Sequence, residues 1–356
     1  MTSSPADARL HAFSTAPFIE HTFNHVYPDY LSTLRQVAEW ADQADFDGML
    51  LLHNLDQFDP WQLAAIVLAG TGRLVPVIAA APEMLGPVPT VRAIRSLVAL
   101  YGRGVHLNGV TGAVGAELLA MAENLDHDER YERLAEHLRL TRLLLASEEP
   151  VTFDGSYYRA RRLSVGPHVE SAFRPLFFVA GASAAAVRVA ARHADVWLTS
   201  PVPADQFGAV TERALAASSP APGIAIRMGI LARPSSAEAW AAAAARFPQS
   251  RLGRAKAVMK RSSHSAWARQ IAEIAVDSMD TSPDEVYWMG AYTADRSSSC
   301  PYLVGSFEEV AAYLRTYLAR GMRYLFLDGP FTGEDFDCAA HVIRLAQPRQ
   351  DAVASS

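Results

Sequence analysis

A few short stretches hold the side chains best suited to chemistry. Residues 105–131 read VHLNGVTGAVGAELLAMAENLDHDERY, an apolar run entering a polar turn at Asn108, Gly109, Thr111 and Gly112, with Asp126, Glu129 and Tyr131 opening a helix downstream. An amide and a hydroxyl at a strand end can meet an uncharged polar ring edge, and Asn108 with Gly109 can equally form a plain turn. Gly181, Ala182 and Ser183 follow the apolar run FFVA and precede an alanine-rich helical stretch. Free N–H groups and the helix dipole there favour an anion, although Ser183 could also be a simple N-cap. His11, His21, His25 and His53 lie near expected strand ends, where a histidine can act as acid, base or donor near neutral pH. His53, directly after the apolar run 49–52, is the best placed; each of the four has a structural or solvent-facing alternative. His21 and His25 are spaced i,i+4 without a third ligand, so no metal site is expected.

The bulk numbers narrow the function classes. The 356 residues are 50% hydrophobic and 20% charged, an ordinary globular balance with room for a sizeable core. A formal charge of -6 offers no broad basic field for nucleic acid or anionic lipid. The opening MTSSPADARL resembles no signal peptide and no later run could span a membrane, so a cytoplasmic protein is expected. Cys300 and Cys338 are expected to be free thiols.

A strand–helix alternation must position the reactive groups. Apolar runs at 11–14, 48–52, 74–80, 105–107, 175–180, 196–199, 224–231 and 324–327 read as strands. Helical spacing separates them at 30–45, 61–69, 91–101 and 127–146, the last with a capping box from Asp126 and Glu129. Eight alternating units predict a closed (β/α)8 TIM barrel, an α/β fold whose chemistry sits at the C-terminal strand ends. Two insertions interrupt it: a hairpin near 150–173 turning at Asp154-Gly155, and a longer one near 237–305 that starts helically and ends in a serine-rich mobile loop at 293–305. One domain is expected over 1–350, with a disordered tail at 351–356.

At this level of detail the chain resembles the bacterial luciferase-like flavin monooxygenases, in particular the alkanesulfonate monooxygenase branch. The matching pieces are Asn108 to Gly112, the Asp126-His127-Asp128-Glu129-Arg130-Tyr131 run, Phe153-Asp154-Gly155, Gly181-Ala182-Ser183 and the HADVWLT run through Trp197. Glu238-Ala239-Trp240, Leu303-Val304-Gly305 and Gly321-Met322 continue the series in family order over nearly the whole chain. The resemblance implies a barrel that receives FMN as FMNH2 from a separate NAD(P)H-dependent flavin reductase, forms a C4a-(hydro)peroxyflavin with O2 and oxygenates a small-molecule substrate. It implies cofactor contacts from Asn108, Thr111, Tyr131 and Gly181-Ala182-Ser183, and a homodimer or homotetramer.

The substrate side departs from that branch. Gln57 stands where the family keeps a cysteine, Gly229 where it keeps a histidine, Ser200 for a tryptophan, and Pro330 beside Phe331 for a tyrosine, while Arg227 and Arg296 match family arginines. These two can clamp an anionic group by forked hydrogen bonds, the alternatives being a structural ion pair for Arg227 and a solvated loop charge for Arg296. A substrate other than a simple alkanesulfonate is therefore expected. His53, Arg227 and Arg296 are the candidate catalytic groups, and His11, Gln57, Trp197 and Phe331 the candidate substrate contacts. Two alternatives stay open: a flavin-binding homologue with reduced turnover, and an F420-dependent oxidoreductase on the same barrel.

Overall fold

Short strands that are apolar on both faces, such as Gly48–Leu51 and Val196–Thr199, belong in a sheet covered on both sides. The computed structural model describes residues 9–18, 29–112, 115–166, 168–216, 220–263, 265–279, 286–294, 298–330 and 332–347. Its strands are β1 (His11–Thr15), β2 (Gly48–Leu51), β3 (Val75–Ala80), β4 (His106–Gly109), β5 (Val151–Asp154), β6 (Arg159–Leu163), β7 (Phe177–Ala180), β8 (Val196–Thr199), β9 (Gly223–Arg233), β10 (Tyr287–Trp288), β11 (Tyr302–Ser306) and β12 (Met322–Leu327). Eight of them pair in parallel in the order β1-β2-β3-β4-β7-β8-β9-β12, and β12 pairs with β1 to close the ring. The expected (β/α)8 barrel is the fold, and all eight expected strand positions are its staves.

Alternation along each strand splits the core in two. Phe13, Leu50, Val77, Phe178, Val196, Leu198, Ala225 and Phe326 fill the barrel, with Phe13 stacked on Phe326 at 4.9 Å. Their neighbours in sequence, such as Leu51, Trp197 and Ile226, face the surrounding helices. The helix His127–Ala146 opens on the expected capping box: the Glu129 N–H donates to Asp126 at 2.9 Å, and the Asp126 N–H donates to Glu129 at 2.8 Å. Further along, its Glu136 accepts the N–H groups of Ser156, Tyr157 and Tyr158 at 2.8, 2.8 and 3.1 Å, which holds the β5–β6 hairpin against the barrel.

The second insertion differs from expectation at its end. Helices Ser236–Arg246, Arg251–Lys260 and Ala266–Asp277 fill its first part, as the length requires. The stretch 293–305, expected to be a mobile loop, instead ends in β11, which runs parallel to the outer half of β9 with Tyr302 opposite Gly229. Tyr302, Leu303 and Val304 are fully buried there, and the Tyr302 hydroxyl donates to the Asp328 carbonyl at 2.6 Å. The insertion is also fastened by Asp335, buried between Arg233 at 2.9 Å and Arg246 at 2.7 Å. The tail 351–356 lies outside the described residues.

Two histidines, His137 buried and His106 half-buried, give the fold a pH limit. The Leu176 N–H donates to His106 Nδ1 at 3.2 Å, and His137 Nε2 faces the Leu85 carbonyl at 3.1 Å. Burial pushes both side chains down to about 4. The unfolded chain takes up these protons near the ordinary histidine value of about 6.5, whereas the folded chain resists them to about 4. Stability is therefore intact above pH ~6.5 and falls as pH drops toward ~4, by up to about 3 kcal/mol per histidine. Unfolding temperatures recorded from pH 7 to pH 5 are expected to decline, and the decline should be shallower in His137→Gln.

Candidate active site

At the C-terminal end of the barrel a cavity of about 580 Å³ opens between the strand ends and the second insertion. Asn108, Thr111, Tyr131 and Gly181-Ala182-Ser183 all line it, although they come from three separate stretches of sequence. Asn108 points inward because it alternates with the outward Leu107, and its Oδ1 is buried without a hydrogen-bond partner among the described residues. An acceptor left open at a cavity wall suits a ligand N–H.

Gly181 turns the chain at the end of β7. Its φ of 137° is one that side-chain-bearing residues rarely adopt, and a Cβ there would overlap the Tyr131 hydroxyl and approach the Ala186 Cβ to 2.7 Å. The Trp197 indole braces the same turn by donating to the Gly181 carbonyl at 2.8 Å. Ser183 then caps the helix Ala184–His193, accepting the Ala186 N–H at 3.2 Å. Tyr131 donates to the Ala180 carbonyl at 3.1 Å. Burial raises the Tyr131 pKa, so its phenol is a neutral donor at physiological pH. A glycine turn, a helix N-terminus, a hydroxyl and a phenol together suit a phosphate-sized anion.

The facing wall carries the titratable groups. His53 follows β2 and Glu83 follows β3, and both line the cavity. Burial pushes the Glu83 carboxyl above its usual range against the pull of Arg133 and His53, and its Oε1 has no partner among the described residues. Arg133 lies 3.4 Å from Glu83 and 2.5 Å from Glu123. Sequence reasoning missed Glu83; its signal was its place directly beyond a barrel strand, in the turn APEM.

Arg227 also lines the cavity, but its guanidinium is paired with the buried Asp328. The Ser298 hydroxyl donates to the other carboxylate oxygen and in turn accepts the Cys300 N–H at 3.0 Å. This is the structural ion pair foreseen as the alternative for Arg227. Only its Nε is buried without an acceptor among the described residues.

Three expected substrate contacts fall elsewhere. His11 begins β1 at the opposite end of the barrel, 3.3 Å from Asp47 and stacked on Tyr324 at 5.1 Å. Trp197 sits on the outward face of β8, 1% exposed, behind the Gly181 turn and not among the lining residues. Gln57 lies in the turn after β2, its N–H donating to the Asn54 carbonyl at 3.1 Å and its side chain to Asp56 at 3.3 Å, and is not among the lining residues. Arg296, Phe331, His21 and His25 lie outside the described residues. The second insertion contributes Lys260, Ser265 and Trp267 to the cavity wall, which the sequence did not reveal.

Comparison with known proteins places this architecture. The luciferase-like monooxygenase family profile matches residues 12–324. The chain is 35% identical over 309 residues to the 4-(gamma-L-glutamylamino)butanoyl-[BtrI acyl-carrier protein] monooxygenase BtrO of Niallia circulans, covering 86% of this chain and 89% of that protein. Among solved structures it resembles EDTA monooxygenase (EmoA) from Chelativorans sp. BNC1, with a TM-score of 0.74 and 17% identity over 96% of this chain and 95% of that one. It also resembles riboflavin lyase (RcaE) with modified FMN and riboflavin, with a TM-score of 0.74 and 15% identity over 95% and 91% of the two chains.

Proposed function

Since this chain belongs to the luciferase-like monooxygenase family, we propose that it is an FMN-dependent enzyme that takes the reduced cofactor from a separate NAD(P)H-dependent reductase and oxygenates a small organic substrate. The observation that carries this reading is the convergence of Asn108, Thr111, Tyr131 and Gly181-Ala182-Ser183 on one cavity. Reduced flavin bound there supplies two electrons for the activation of dioxygen, one oxygen atom going to the substrate and the other to water.

In this reading Gly181, Ser183 and the N-terminus of the helix Ala184–His193 hold the phosphate, and the Tyr131 phenol joins them by turning its single proton from the Ala180 carbonyl to the anion. Asn108 and Thr111 orient the ring and its polyol chain. Glu83 and His53 hold or move a proton beside the substrate, burial shifting the Glu83 carboxyl toward its protonated form. Trp267, with Leu50 and Leu198, supplies apolar surface that keeps water out. Arg227 has its charge spent on Asp328, which leaves little to neutralise a permanent anion such as a sulfonate. The likeness to BtrO favours an acyl chain carried as a thioester on a carrier protein.

The test is an anaerobic titration with reduced FMN and, separately, reduced F420, followed by turnover with a flavin reductase, NAD(P)H and isotopically labelled dioxygen. Tight binding of reduced FMN and label in the product are expected. Binding of F420 alone, or substrate oxidation without label, would overturn the proposal.

A further inference from the structure

Charge is distributed unevenly along this chain. Between Glu238 and Glu273 it carries seven arginines and lysines and no aspartate or glutamate, within a protein of formal charge -6. Both lysines of the sequence, Lys256 and Lys260, lie in the helix Arg251–Lys260. That helix buries Gly253 and Ala257 and turns nearly everything else to solvent. Gly253 is required for the seating: a Cβ there would overlap the carbonyl oxygens of Thr293 and Ala294, so the helix lies directly on that backbone and its outward face is fixed.

The outward face is neither purely polar nor purely basic. Leu252, Ala255 and Met259 are spaced i, i+3, i+7 and form one stripe. Leu252 is 60% and Met259 74% exposed, large apolar side chains a solvated helix has no reason to display. Arg251 and Lys256 flank the stripe, Arg254 and Arg261 lie further round the same segment, and none of the four has a carboxylate partner among the described residues. Lys260, at the end of this helix, and Ser265 and Trp267 just beyond it line the cavity, so the face runs directly to the cavity's rim.

We infer that the helix Arg251–Lys260 is the docking face for an acidic carrier protein that delivers its tethered acyl thioester into the cavity past Lys260 and Trp267; the inference rests on the oxygenase reading above. An apolar stripe between cations complements an amphipathic helix bearing carboxylates, the stripe supplying buried area and the charges orientation and encounter rate. A nucleic-acid backbone would satisfy the cations but leave Leu252 and Met259 in water. A free small-molecule substrate would need no such surface. A flexible tether suits an opening beside the docking face, since the acyl end must travel inward while the carrier stays outside.

The test uses the full-length enzyme and a holo acyl-carrier protein charged with the 4-(γ-L-glutamylamino)butanoyl thioester named for BtrO. The same acyl group on N-acetylcysteamine serves as the untethered probe. Fluorescence anisotropy should show carrier binding that weakens with added KCl, and the Arg251→Glu/Lys256→Glu double variant should weaken it roughly tenfold or more. In turnover the variant should raise KM for the carrier thioester by a similar factor, with kcat retained and the N-acetylcysteamine thioester unaffected. Salt-independent carrier binding by the unaltered enzyme, or unchanged affinity in the variant, overturns the inference. So does a variant whose loss falls instead on self-association, anionic vesicles or duplex DNA. If the carrier binds by this face yet neither thioester is oxygenated, the docking face stands and the oxygenase reading fails. If only the untethered thioester is turned over and the carrier is ignored, the reverse holds.

Discussion

Replacing Gly181 with alanine is expected to weaken binding of reduced FMN by about 100-fold or more while the barrel stays folded. Two costs combine at this position. Its φ of 137° is strained for any residue with a Cβ, typically by about 1–3 kcal/mol. The added methyl would also press on the Tyr131 hydroxyl and approach the Ala186 Cβ to 2.7 Å. Relief requires the turn to rotate, and rotation carries the N–H groups and the Ser183 hydroxyl away from a shared anion. At about 1.4 kcal/mol per factor of ten, a loss near 100-fold needs less than 3 kcal/mol. Flavin fluorescence titration would measure it, with circular dichroism reporting the fold. Tyr131→Phe is the informative companion: it removes one overlap and one donor, so the double variant should not regain binding. Wild-type affinity in Gly181→Ala would show that the phosphate does not sit at this turn.

Arg227→Met is expected to be the most destabilising of these single changes, by about 3–5 kcal/mol, because it leaves the Asp328 carboxylate buried without its cation. Asp328 also accepts the Ser298 hydroxyl, and the carbonyl of Asp328 accepts the Tyr302 hydroxyl, so the loss should loosen β11 together with the barrel. Adding Asp328→Asn should recover much of the loss, since an amide needs no counter-ion. Urea unfolding of the two single variants and the double gives the coupling. A loss under about 1 kcal/mol for Arg227→Met would mean that the pair is open in solution, with the guanidinium available to a substrate.

The barrel was legible in the sequence because a sheet covered on both sides writes itself as eight apolar runs. Strand pairing across long insertions left no such mark. β11 pairs with the far half of β9, about seventy residues earlier in the chain, and nothing in the serine-rich stretch before it signals a strand. Facing was the other blind spot. Trp197 lies between Val196 and Leu198, and because those two fill the barrel interior, the period of two sends the indole outward. An apolar run does not by itself say which of its ends faces the site, and His11 begins β1 rather than finishing it. Asn108, Thr111, Tyr131 and Gly181-Ala182-Ser183 came together as expected because they sit beside β4 and β7, which neighbour each other in the ring.

The placement of both lysines in one exposed helix has a practical side. Apart from the chain's own amino terminus, every primary amine in this protein belongs to the helix Arg251–Lys260. Amine-reactive dyes, biotin esters and cross-linkers will therefore mark, besides the amino terminus, only this helix, at Lys256 on its exposed face and Lys260 at the cavity rim. The same fact warns against carboxymethyl-dextran or other amine-coupled immobilisation, which would tether the enzyme by the very surface a partner is expected to use. A tag at a terminus, or the enzyme kept as the mobile analyte, keeps that surface open.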